Sequence, residues 1–334
     1  MTFWHMTRSS IRAAAWTAAL AALLATEARG QPGWRPDKAV EIIVPTAAGG
    51  PNDVMMRLMQ KILQDQKLVT SPVVVMNKPG GNQTLAPIYV HQHPANPHYL
   101  LYSAATIFTN QLSGLTQLRY TDLTPLALFS VDHTAITVLA DSPMKNMRHL
   151  VERLKADPDS IAFGAGALGG VNHLALFQAM RSAGVDAKKL KVVVFRTSIE
   201  SMTAMAGGHI QAVLSSVSSA VPQLQAGNTR VLAIASPQRE AGAMANVPTL
   251  REQGINADGI ANWRAMFSAK GLTPPQISFW EDALARVAAT NEWENQLRQN
   301  NLASQFLRGN DLAKYLEGEY NDTKSVMTEL GLVK

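Results

Sequence analysis

The sequence predicts an α/β protein of two lobes, and three observations predict it. Short β-branched runs alternate with helical stretches, which is the pattern of parallel strands joined by crossover helices. A chain of 334 residues is long for one ordinary core. A strand, a Gly-rich loop and a helix follow one another twice, in Val40 to Leu63 and again in Ile161 to Gly184, far enough apart to lie in different lobes.

Residues 1–30 read as a secretory leader. Arg8 and Arg12 precede an apolar run, Ala13 to Ala25, too short for the roughly twenty residues of a membrane span, and Ala28 and Gly30 suit a cut before Gln31. Removing Arg8, Arg12 and Arg29 with Glu27 takes the formal charge from +5 to +3. The chain has no cysteine, which excludes disulfides, thiolate metal sites, a cysteine nucleophile and a lipid anchor on an N-terminal Cys. An exported bacterial product of this kind is expected free in the periplasm. Basic residues do not run together with interleaved aromatics, so nucleic acid is not an expected partner.

In the mature chain VEIIV, Val40 to Val44, is apolar apart from Glu41 and predicts a buried strand, which Pro45 ends. Val54, Met55, Leu58, Met59, Ile62 and Leu63 then follow helical spacing, with Asn52 or Asp53 placed to cap. The loop TAAGGP sits at that helix N-terminus. Unpaired amides and the positive end of the helix dipole suit an anion there, while a plain tight turn also uses Gly-Gly; both readings stay open. Val73 to Met76, Tyr99 to Ala104 and Thr134 to Ala140 predict further strands, and Met147 to Pro158 a helix stopped by its proline. After the second Gly loop come strands at Leu190 to Phe195, Gln211 to Ser216 and Arg230 to Ser236. Helices are expected from Gln276 to Asn300 and from Asp311 to Leu330.

Gly164, Gly166 and Gly169 match GxGxxG, but the unit is not near the start of a domain and an exported protein rarely meets free dinucleotide. His91, His93 and His98 lie in a Pro-stiffened stretch without a nearby carboxylate, and read as solvated loop residues rather than metal ligands. His173 is read as shaping the second loop, and Asp53 as fixing the first helical turn. No GxSxG elbow is present. Ser215, Ser216, Ser218 and Ser219 either line a cleft or merely end a strand.

The segments PTAAGGPND (Pro45 to Asp53), VVVMNKPGG (Val73 to Gly81), FGAGALGGVNH (Phe163 to His173), GGHIQAVLSS (Gly207 to Ser216), QLQAGNTRVLAIAS (Gln223 to Ser236) and NVPTLREQGI (Asn246 to Ile255) stand in a telling order. Together they resemble the tripartite tricarboxylate transporter receptor family, the Bug/TctC-type periplasmic solute-binding proteins. The resemblance implies a two-lobed, type II-like Venus-flytrap fold, each lobe a mixed, mostly parallel sheet flanked by helices. Residues 31–137 and 259–334 are expected in the first lobe and 138–258 in the second.

It further implies a receptor that closes on a small carboxylate and delivers it to membrane permease subunits. The alternatives are a sensory role against a kinase ectodomain, or a secreted α/β enzyme acting on a small carboxylate. The implied ligand site takes Thr46, Ala47, Ala48, Gly49, Asn52 and Asp53 from the first loop, and Gly164, Ala165, Gly169, Gly170, Asn172 and His173 from the second. Ser103, Ala104, Ser215 and Trp263 complete it. No catalytic residue, metal or cofactor is expected, and the receptor is expected to act as a monomer. Ser215 stands where some family members carry an Asp, which favours a plain carboxylate over an amino acid.

Overall fold

Val40–Val44 forms β1, buried but for Glu41, and the amphipathic helix α1 (Pro51–Asp65) covers it with Met55, Met56, Met59, Ile62 and Leu63. The computed structural model describes residues 33–195 and 197–334, so the expected leader lies outside them. Strands β2 (Val73–Asn77) and β3 (Tyr99–Ala104) pair in parallel with β1, because α1 and then α2 (Leu85–His91) return the chain across the sheet. Helix α3 (Thr106–Leu112) follows, and β4 (Leu123–Val131) ends this first passage.

The chain then changes sheet. Strand β5 (Thr134–Leu139) is followed by α4 (Met147–Ala156), β6 (Ala162–Ala165), α5 (Val171–Ser182), β7 (Lys191–Val194) and α6 (Ser198–Ala206). After these come β8 (Ala212–Ser216), α7 (Val217–Gln225) and β9 (Thr229–Ala235). It returns through β10 (Arg264–Ala269), and α8 (Pro274–Ala288), α9 (Asn291–Gln299), β11 (Ala303–Leu307) and α10 (Gly309–Glu329) close it. The first sheet runs β11-β4-β10-β3-β1-β2 and the second β7-β6-β8-β5-β9. Each is parallel on the side that carries its Gly loop and antiparallel around the strands that cross between sheets.

The structure departs from the sequence reading at several elements. The first crossing falls at Asp132–His133, so the strand at Thr134–Leu139, placed up to residue 137 in the first lobe, lies wholly in the second sheet. Strand β4 carries Pro125 and no alternation, which hid it; the proline sits opposite Phe267, where the ladder shifts register. The single helix expected from Gln276 to Asn300 is two, because Thr290 caps a new start by accepting from the Trp293 N–H at 3.2 Å. His93 stacks on Tyr99 at 3.9 Å and His98 is buried with Nε2 at 3.0 Å from Asp37, so neither is a solvated loop residue.

Helix α10 holds the two halves in one body. Leu312 and Leu316 enter the core of the first sheet with Trp263 and Phe267, while Val326 and Met327 enter that of the second with Leu174 and Phe177. The two crossings touch where the Asn262 N–H donates to the Asp132 carbonyl at 3.1 Å, and the neighbouring Ala261 N–H donates to Glu319 of α10 at 3.2 Å. The return crossing also needs Gly259: at φ +77° a Cβ there would lie 2.6 Å from the Ala235 Cβ. Both the left-handed backbone and the collision act against a side chain, so Gly259→Ala is expected to cost at least about 2 kcal/mol in urea unfolding.

Candidate functional site

The two Gly loops have one backbone. Gly49 and Gly169 have φ of +79° and +72°, conformations that glycine adopts without steric cost. Gly50 and Gly170 follow as extended N-caps, and the Val54 and Leu174 N–H groups close the first turns on their carbonyls. In each, the αL glycine donates its N–H to the side chain four residues on: Gly49 to Asp53 Oδ2 at 2.9 Å, Gly169 to His173 Nδ1 at 2.9 Å. Pro51 is the first residue of α1, so Asn52 and Asp53 lie inside the first turn rather than capping it from outside. The N–H groups of Asn52 and Asp53 have no intrahelical acceptor at that position.

The chemistry of the two loops differs. Asp53 is buried, and Arg57, donating to the same Oδ2 at 2.9 Å, holds its carboxyl down to about 2. His173 is neutral when it accepts from Gly169, and burial lowers its pKa below the ordinary histidine value. The first loop therefore carries its own fixed anion, neutralised by Arg57, and the second carries none.

A cleft of about 910 Å³ opens on the first loop. Thr46, Ala47, Ala48, Gly49 and Asn52 line it; Asp53 lies beneath and braces the loop. The second loop does not line it. Ala167, Leu168, Gly169 and Gly170 face a separate depression of about 370 Å³ with Asn110, Leu332 and Lys334, and a Cβ on Gly169 would stand 3.1 Å from Leu332. Gly164 and Ala165 are buried strand residues; a Cβ on Gly164 would meet Ile210 at 2.6 Å, which makes that glycine a packing requirement. Asn172 accepts from Thr134 Oγ1 at 2.9 Å. Ser103 is buried, Ala104 half-buried, and both lie in the ladder against β10.

The second-lobe wall of the cleft is instead the start of α7. Ser216 is its N-cap, and its hydroxyl meets those of Ser218 at 2.9 Å and Ser219 at 3.1 Å. Ser215, the expected ligand residue, is buried; strand alternation turns it inward and Ser216 outward. Trp263 is fully buried against Phe108 at 5.0 Å, in the core rather than on the cleft. Its neighbour Arg264 takes the cleft position beside Tyr102, whose hydroxyl burial pushes up to about 12. Arg264 was legible as a lone charge in the apolar run WRAMF, but nothing in the sequence said which way it points.

Arg264 is held loosely. Nη2 lies 3.5 Å from Asp132 and Nη1 3.4 Å from the Asn262 carbonyl, while Asp132 takes stronger bonds from the Ser218 hydroxyl at 2.7 Å and its N–H at 3.2 Å. The remaining guanidinium donors are available to the cleft. Among the described residues that line it, Arg264 is the one charged side chain. No group of three or more His, Asp or Glu gathers to hold a metal among the described residues.

The chain matches the model of the tripartite tricarboxylate transporter family receptor over residues 55–332. It is 29% identical to protein BugT of Bordetella pertussis over 72% of this chain and 74% of that protein. A TctC solute-binding protein from Polaromonas, solved without ligand, superposes with a TM-score of 0.79 at 26% identity, covering 88% of this chain and 99% of that one. The R. palustris protein Rpa4515 with adipate superposes at 0.71 with 22% identity, covering 89% and 99%.

Two outcomes test the loop chemistry. Asp53→Ala is expected to lower stability by about 1 to 2 kcal/mol in urea unfolding near neutral pH. The stabilisation from ionised Asp53 is complete above the unfolded carboxylate value and lost as pH falls toward about 2, so mutant and wild type converge in acid. For His173 the unfolded chain takes up its proton first as pH falls through about 6.5, so the native state loses stability from there down through its lower folded value. That decline should be smaller in His173→Gln.

Proposed function

The chain belongs to the tripartite tricarboxylate transporter receptor family, and from that premise we propose that it captures a small carboxylate in the 910 Å³ cleft and passes it on unchanged. The observation that carries the reading is the charge of the cleft lining: Arg264, two helix starts and three serine hydroxyls beside the end of α9 at residues 299–302, with no Asp or Glu among the described residues that line it. A cationic ligand would enter without a counter-charge, whereas a carboxylate meets a guanidinium and two helix N-termini, each worth about 0.3–1 kcal/mol when exposed and more when partly buried.

In this reading one carboxylate lies between Thr46–Asn52 and Ser216–Ser219, with Arg264 from the return crossing as its cation. The fold relative Rpa4515 of R. palustris is solved with adipate, a carboxylate of the class proposed here. Among the described residues no His, Lys, Asp or Glu lines the cleft, and the Ser218 hydroxyl that meets it is tied to the buried Asp132 behind, an arrangement that favours a receptor over an enzyme. The proposed setting is the periplasm, reached on the leader at residues 1–30, with the permease subunits of the family's transporter as partners. No helix among the described residues is long and apolar enough to cross a membrane.

The test compares acids with their neutral amides by thermal shift and calorimetry. Each acid is expected to bind at least tenfold more tightly than its amide, about 1.4 kcal/mol. Ligand recovered after incubation should be unchanged by mass spectrometry. Equal binding of amides, or binding of amines alone, would sink the carboxylate reading, and a converted ligand would sink the receptor.

A further inference from the structure

We infer that the ligand is a monocarboxylate whose far end is apolar, and that this end lies in a groove between α6 and α7; the inference rests on the carboxylate reading of the cleft. The groove has a volume of about 580 Å³ and is walled by Ile199, Met202 and Ala206 of α6 and Pro222 of α7. It adjoins the cleft at α7, where Ser219 and Pro222, one turn apart, line both. A molecule anchored at the serine-capped start of α7 thus has a direct route onto the groove.

The composition of the groove selects the tail. No charged side chain lines it among the described residues, so the second carboxylate of a diacid would lose water there with only the start of α6 at residues 197–199, and no cation, to meet it. Ile199 is 79% exposed, the most open of the large apolar side chains described. An apolar tail covers Ile199 and gains the free energy of leaving water. Thr203, whose hydroxyl is turned back to the Ile199 carbonyl at 3.0 Å, presents its methyl to the same groove wall rather than a free donor.

Calorimetry on the full mature chain with acetate, butyrate, hexanoate and octanoate, beside succinate, adipate and hexanamide, tests this. Affinity is expected to rise about fourfold for each methylene that enters the groove. Adipate is expected to bind at least tenfold more weakly than hexanoate. Thr203→Trp, which fills the groove from an exposed position, should abolish the gain with chain length while leaving acetate binding and the urea midpoint unchanged. Ile199→Asn should reduce that gain severalfold. A flat or falling response to chain length, or adipate binding as tightly as hexanoate, overturns the apolar-tail inference and leaves the carboxylate reading standing if hexanoate still exceeds hexanamide. Hexanamide binding as well as hexanoate, or no acid of the series binding at all, overturns both.

Discussion

A buried carboxylate at the point where the chain changes sheet is the constraint on which the rest depends. Asp132 is 3% exposed, and a charge so placed must be satisfied by neighbours or it destabilises the fold. The carboxylate's partners come from two places, the Ser218 N–H and hydroxyl at the start of α7 and Arg264 at the start of β10, while the residue's backbone carbonyl accepts from the Asn262 N–H of the return crossing. The same residue therefore sets the position of the second-lobe wall, the cation of the cleft and the contact between the two crossings. Because Ser218 binds it at 2.7 Å and Arg264 only at 3.5 Å, Asp132 fixes the serine-bearing helix firmly and leaves the guanidinium underused.

The repeated Gly loop shows how one backbone serves two tasks. Both copies use an αL glycine, an extended glycine cap and a side-chain acceptor at the fourth position on. In the first copy that acceptor is a carboxylate already paired with Arg57, which stiffens the loop while keeping its net charge near zero. In the second it is an imidazole that must stay neutral to accept. The first loop opens on the cleft; the second is packed beside Leu332, so its amides serve a different surface in this conformation.

In the proposed function the cleft draws its anion preference from elements that lie far apart in the chain: the start of α1, the start of α7 and the head of β10. Helix starts supply amides and partial positive charge without a counter-ion, and Arg264 supplies one full charge. Beyond α7 the surface turns apolar at Ile199 and Met202.

By itself the sequence determined the two strand–Gly-loop–helix units, the parallel half of each sheet, the bracing role of Asp53, the loop-shaping role of His173 and the family. These rest on local periodicity, on glycine at positions needing positive φ, and on side-chain reach within one helical turn, all of which act over a few residues. Only the tertiary structure decided which helix start faces the first loop. Ser216 rather than Gly169 holds that place, because strand register selects the outward serine and the core draws Ser215 and Trp263 inward. It also decided the crossing at Asp132–His133 and the outward turn of Arg264, since both follow from pairing a buried charge with residues distant in the chain, and no periodicity in the sequence encodes that pairing.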